Sequence, residues 1–225
     1  MSILRSPQIV YNGLVLALDA ADQGSYVSGS TSWNDLSGNR FNGTLTNNPT
    51  YSSENSGVIV FDGISNYVNC GNVLDSLTDL SLECFVKFGA QSVNYGGIIS
   101  KTLSNANGWE LRVADYTLTT TSIQFRYVGD TSFLNFGIST NGVWYHLVAT
   151  GKLNSQKIYI NGSLYDSKID AVTPSANSNS LVIGKLAYSG IYVNMSLGLA
   201  RIYNKALTAT EVLQNYNAQK TRFGL

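Results

Sequence analysis

The chain is poor in charge. Of its 225 residues only 12% are Asp, Glu, Lys or Arg, and the net formal charge is zero. An average soluble domain carries about 25%. Proteins that grip nucleic acid neutralise phosphates with clustered Lys and Arg. No such cluster stands out here, so nucleic acid is not an expected partner. Cysteine is scarce too. Cys70 and Cys84 are too few for a disulfide scaffold, and Cys84 lies in the strand-like run LSLECFVKF, where a free thiol behaves as a small apolar residue. Whether the two pair is left open. Histidine occurs once, at His146, and no Cys-x-x-Cys or His-x-x-x-His metal spacing occurs. No run approaches the length of a membrane span, and the opening MSILRSPQIVYNG lacks the apolar stretch of a signal peptide. The expectation is a chain made in a cytoplasm, with no membrane partner.

What the chain does hold is short apolar runs separated by Asn, Gly, Ser and Asp. Hydrophobic residues make up 44% of it, enough for a core. GLVLALDA (13–20), GVIVFDG (57–63), LSLECFVKFG (80–89), GGIISK (96–101), WELRVA (109–114), SIQFRYV (122–128), SFLNFGI (132–138), WYHLVATG (144–151), SLVIGK (180–185) and LARIYN (199–204) read as strands. In LSLECFVKF, Leu82, Cys84, Val86 and Phe88 share one face, while Glu83, Phe85 and Lys87 share the other. Asn161-Gly162, inside QKIYINGSLYDSK, predicts a type I′ hairpin, because both residues readily take positive φ. The segment SWNDLSGNRFNGTL (32–45) reads as turns between short extended pieces, with Trp33 and Leu36 tucking it onto the body.

These signals predict an all-β fold, a jelly-roll sandwich of two antiparallel sheets. Residues 1–12 form an N-terminal arm and 13–225 a single sandwich domain. The chain ends differently. Thr208 and Glu211 make a capping box, Leu207 and Val212 stand at staple positions, and Val212, Leu213 and Tyr216 fall on one helical face. A short C-terminal helix is expected to cover an open end or an edge of the sandwich.

Ten segments resemble, in order, a laminin-G-like domain of the concanavalin A-like lectin/glucanase superfamily, of the type found in virion proteins of marine tailed phages. Among them are SPQIVYNGLVLALDA, SWNDLSGNRFNGTLTNNPTY, VFDGISNYVNCGN, WYHLVAT, KIYINGSLY and RIYNKALTATEVLQNYNAQKTRFGL. The resemblance implies a non-catalytic structural or decoration protein on a virion's capsid or tail surface. Its partners would be other virion proteins, with host-surface glycans and a homo-oligomer left open. A carbohydrate-binding adhesin is the alternative, and a degenerate glycosidase a third reading.

Glycosidases on this sandwich carry carboxylates alternating on one strand, where two can flank a glycosidic bond. Glu54, Glu83, Glu110 and Glu211 each lack an acid two residues away, so no catalytic residue is assigned. Family members often bind calcium through an Asp of an FDG segment and acids before the RIYN strand. Asp62 matches the first, but Ser65, Asn66, Gly198 and Leu199 replace the others, so most of the charge that calcium needs is missing. No other cofactor is implied. A sugar site combines an aromatic face with amides, and Asn94, Tyr95, Tyr188, Tyr192 and Asn194 lie in Gly-containing stretches with that chemistry.

Overall fold

The computed structural model describes residues 8–90, 95–103, 107–116, 120–128, 134–139, 142–169 and 172–225. In chain order the strands are β1 (Leu14–Asp19), β2 (Ser32–Trp33), β3 (Gly43–Thr46), β4 (Thr50–Ser52), β5 (Val58–Asp62), β6 (Tyr67–Asn69), β7 (Leu80–Phe88) and β8 (Gly97–Leu103). They continue as β9 (Asn107–Tyr116), β10 (Thr120–Tyr127), β11 (Leu134–Ser139), β12 (Trp144–Lys152), β13 (Ser155–Ile160), β14 (Ser163–Lys168), β15 (Val182–Ile183) and β16 (Asn194–Tyr203). The helix α1 (Ala209–Gln219) and a 3-10 turn (Lys220–Phe223) follow.

Two antiparallel sheets result. The first runs β14-β13-β12-β7-β16-β5-β4, with β1 also paired to β16; the second runs β11-β10-β9-β8-β15-β6-β3-β2. The expected sandwich, jelly-roll in type, is what the chain forms. Its core lies between the sheets. Leu82, Cys84, Val86 and Phe88 of β7 share one cluster with Leu111 and Val113 of β9 and Ile123 and Phe125 of β10. Trp33 is fully buried in the same cluster, whereas Leu36 stays 44% exposed, so only the tryptophan tucks the second segment down. Asn161 and Gly162 turn the β13–β14 hairpin at φ of 49° and 79°, as the dipeptide predicts.

The helix starts where expected. Thr208 accepts from the Glu211 N–H at 3.2 Å and Glu211 accepts from the Thr208 N–H at 2.9 Å. Its packing corrects the sequence reading twice. Leu213 is 46% exposed, and the buried positions are Val212 and Asn215. The helix lies on the outer face of the first sheet rather than at an end or edge. Leu207 and Val212 pack with Val148, Tyr159 and Tyr203, while Phe223 packs with Phe85, Trp144 and Leu199. Each such buried apolar side chain contributes about 1.5–3 kcal/mol. Much of the outer face of the first sheet is therefore covered as well. The arm residues join this cover, since the Val10 N–H donates to Asn215 Oδ1 at 2.7 Å.

Candidate functional site

The outer face of the second sheet carries a polar ladder. On β9, Trp109, Leu111 and Val113 point into the core, so Glu110 and Arg112 point out. On β10, Ile123, Phe125 and Tyr127 point in and Gln124 and Arg126 out; on β11, Asn135 lies between the core residues Leu134 and Phe136. Register aligns them, with Arg112 opposite Gln124, Glu110 opposite Arg126, and Gln124 opposite Asn135. Cross-strand neighbours this close bond directly. Arg112 Nε donates to Gln124 Oε1 at 2.8 Å, and Gln124 Nε2 donates to Asn135 Oδ1 at 2.9 Å. Arg112 Nη1 and Arg126 Nε both reach Glu110 Oε1, at 2.8 and 2.7 Å. Glu110 Oε2 is buried and has no hydrogen-bond partner among the described residues. Such an orphan acceptor is rare and calls for a reason. Burial, with Arg126 beside it, lowers the Arg112 guanidinium below its ordinary pKa, against the pull of Glu110.

Aromatic rings border this ladder. Tyr95, at φ of 68° and 44% exposed, sets its ring 4.7 Å from the Arg112 guanidinium carbon. Tyr188 is half-buried and acts electrostatically on the same arginine. Tyr192 lies 6.3 Å from the Tyr67 ring, and the Lys185 ammonium sits 4.4 Å from the Tyr67 centroid. The 185–193 hairpin that carries Tyr188 and Tyr192 can approach β8 only because Gly97 has no side chain, for a Cβ there would stand 2.2 Å from the Lys185 carbonyl oxygen. Tyr95, Tyr188 and Tyr192 are thus brought to one side of the second sheet. Asn94 lies outside the described residues. Asn194 goes elsewhere. It opens β16 in the first sheet opposite Asp62, donates to the Ala90 carbonyl at 3.2 Å and fills the space beside Gly63 and Gly89.

Asp62 is a turn residue. Its Oδ1 accepts from the backbone N–H groups of Ile64, Ser65 and Asn66 at 2.8, 2.9 and 3.0 Å. Burial would raise its pKa, but these bonds hold it below the usual aspartate value. Gly198 lies inside β16 rather than before it, and its outer side is taken, since a Cβ there would lie 2.4 Å from the Phe223 ring. The residues implied for calcium therefore do not fit an ion. Among the described residues no group of three His, Cys, Asp or Glu is placed to hold one.

The two acids at strand positions are both fully buried but differ in their partners. Glu83, on the helix-covered face, accepts from His146 Nε2 at 3.0 Å, Asn215 Nδ2 at 2.8 Å and Tyr203 Oη at 3.3 Å, with Arg201 Nη1 at 3.4 Å. The sequence places no acid close to His146 along the chain; the pairing of β7 with β12 supplies one from 63 residues away. No substrate reaches this carboxylate under α1. In the Glu110 network every other named member among the described residues is a base, an amide or a hydroxyl, so no carboxylate pair is formed there.

A two-sheet jelly-roll sandwich defines a class, and the family follows from the sequence match. Residues 62–213 match the Laminin_G_3 family of the concanavalin A-like lectin/glucanases superfamily, to which the chain belongs. No curated protein matches it by sequence. Among solved structures it is similar to the binding domain of Paraclostridial Mosquitocidal Protein 1, at 17% identity and a TM-score of 0.68, covering 92% of this chain and 52% of that one. The botulinum neurotoxin serotype D ligand-binding domain, in complex with N-acetylneuraminic acid, matches at 17% identity and 0.66, covering 93% and 52%. The chain thus spans about half the length of these toxin domains. Domain 4 of AbnA, an extracellular arabinanase of Geobacillus stearothermophilus in complex with arabinotriose, matches at 17% and 0.67, covering 90% and 98%. No helix is long and apolar enough to cross a membrane among the described residues.

Proposed function

We propose that the chain is a non-catalytic carbohydrate-binding module whose site is the outer face of the second sheet. The observation that carries this is the hydrogen-bonded Arg112–Gln124–Asn135 ladder with the exposed Tyr95 ring stacked at its edge. Sugars need amide and guanidinium donors and an aromatic face, which Gln124, Asn135, Arg112 and Tyr95 carry, while the fully buried Glu110 holds Arg112 and Arg126 in place. Two similar structures were solved with sugars bound, which supports the reading. On the other sheet α1 and the 3-10 turn pack over much of the outer face. A glycan array probed with the purified chain, with and without Ca²⁺, is expected to show discrete hits that do not depend on the ion. An array with no hit in either condition contradicts the reading.

A second reading concerns the setting. The charge-poor surface and the likeness of the first and last segments to phage virion proteins support a capsid or tail surface protein that docks on other virion subunits. On that reading the glycan site serves attachment. Mass spectrometry of purified particles is expected to detect the chain, and its absence from them would exclude the setting while leaving the glycan site standing.

A further inference from the structure

The first sheet is not sealed everywhere by α1. Beside β1 lies a groove of about 440 Å³, within the size range of small-ligand pockets. Its lining includes Tyr11, Leu14, Asp19, Asp22, Leu36 and Arg201. Arg201 stands on β16 between Ala17 of β1 and Glu83 of β7. Arg201 is only 4% exposed. Its one hydrogen bond is the 3.4 Å contact to Glu83, which leaves its other N–H groups without a partner among the described residues. A guanidinium buried to this degree ordinarily spends its donors on protein groups.

The groove's acceptors are more open, Asp19 being half-buried and Asp22 exposed. Asp19 uses Oδ1 for the Ala21 N–H at 2.9 Å and for Arg222 at 2.7 Å, and Asp22 uses Oδ1 for the Gly24 N–H at 2.8 Å. Neither Oδ2 holds a hydrogen bond among the described residues. Arg201, Asp19 and Asp22 thus line one groove together with the apolar Leu14 and Leu36. Tyr11, 66% exposed, adds a ring.

The charges select the ligand. Asp19 and Asp22 oppose an anion, and Arg201 opposes a cation. A neutral polyhydroxy ring satisfies both sides, because each hydroxyl donates and accepts, while its C–H face lies on Tyr11 or the leucines. We propose that this groove is a second carbohydrate site, on the opposite sheet from the first, taking one neutral hexose unit. It rests on its own residues and not on the ladder of the second sheet.

The test is an amide-shift titration of the isotope-labelled full chain with glucose, galactose and mannose in turn, with glucuronate and glucosamine as charged controls. At least one hexose is expected to give saturable shifts at Tyr11, Leu14, Asp19 and Asp22, and the charged sugars weaker ones. Tyr11→Ala and Asp22→Asn, both at exposed positions, are each expected to weaken that binding about fivefold or more. Unchanged dispersion of the remaining amide signals shows that the variants are folded. Shifts at the second sheet are read separately, so either site fails on its own. The proposal is overturned if no hexose perturbs the groove, if a charged sugar binds there as well as a neutral one, or if the folded variants bind as the parent does.

Discussion

Glu83 keeps its charge where water does not reach. Burial pushes its pKa up, but Arg201, His146 and Asn215 together hold it below the ordinary glutamate value. The folded chain thus binds its proton less readily than the unfolded chain. This contribution to stability is present above the unfolded value and is lost as pH falls through the carboxylate range. Glu54, Asp62 and Glu211 shift the same way but lie in more open surroundings, where such effects are smaller. The melting temperature is expected to fall on acidification below the ordinary glutamate value of 4.5. Glu83→Gln should cost about 3–5 kcal/mol near neutral pH, because it leaves Arg201 without its anion, and should flatten that acid limb. Melting curves of both chains across pH measure this. The cysteines give a second check at this scale. Burial pushes Cys70 up to about 12 and Cys84 further still, and both are free. A thiol reagent at neutral pH is expected to find neither in the folded chain and both in denaturant. Rapid native labelling would contradict this placement.

At the scale of elements, local signals in the sequence were enough wherever one segment decides its own shape. Alternation named the strands, Asn161-Gly162 named the hairpin, and Thr208 with Glu211 named the start of α1. What the helix covers was not legible, since its buried face carries Asn215 instead of Leu213, and an asparagine there makes sense only beside Glu83, 132 residues away. The candidate site divides the same way. Tyr95, Tyr188 and Tyr192 were legible from composition and the glycines beside them. Arg112, Gln124 and Asn135 were not, because they meet across strands at separations of 12 and 11 residues, which register alone aligns. Two variants of α1 test its account. Thr208→Ala should cost about 1 kcal/mol, the usual worth of a cap. Asn215→Ala should cost about 1–3 kcal/mol, since it strands the Val10 N–H and removes a donor from Glu83. Urea melts are expected to rank them in that order, and the reverse order would mean that the Glu83 network does little to hold the helix.

At the scale of the whole molecule, the two sheets differ in their outer faces. On the first, α1, the 3-10 turn and Val10 pack over much of the sheet. The second turns a polar face outward, bordered by the tyrosines that the 185–193 hairpin and the Tyr95 turn bring to it. Gly97 links fold to site, because with Gly96 it lets the hairpin approach. Gly97→Ala is expected to displace Tyr188 and Tyr192 and so to weaken glycan binding, with the strands of the first sheet still protected in hydrogen exchange. The most direct measurement is calorimetric titration of an array-identified glycan into the parent chain and Tyr95→Ala. Tyr95 is exposed, so the variant should keep the parent's melting temperature. Its affinity should fall about tenfold or more, the order expected for losing an aromatic platform and its hold on Arg112. Equal affinity in the two chains would contradict a binding site on the second sheet.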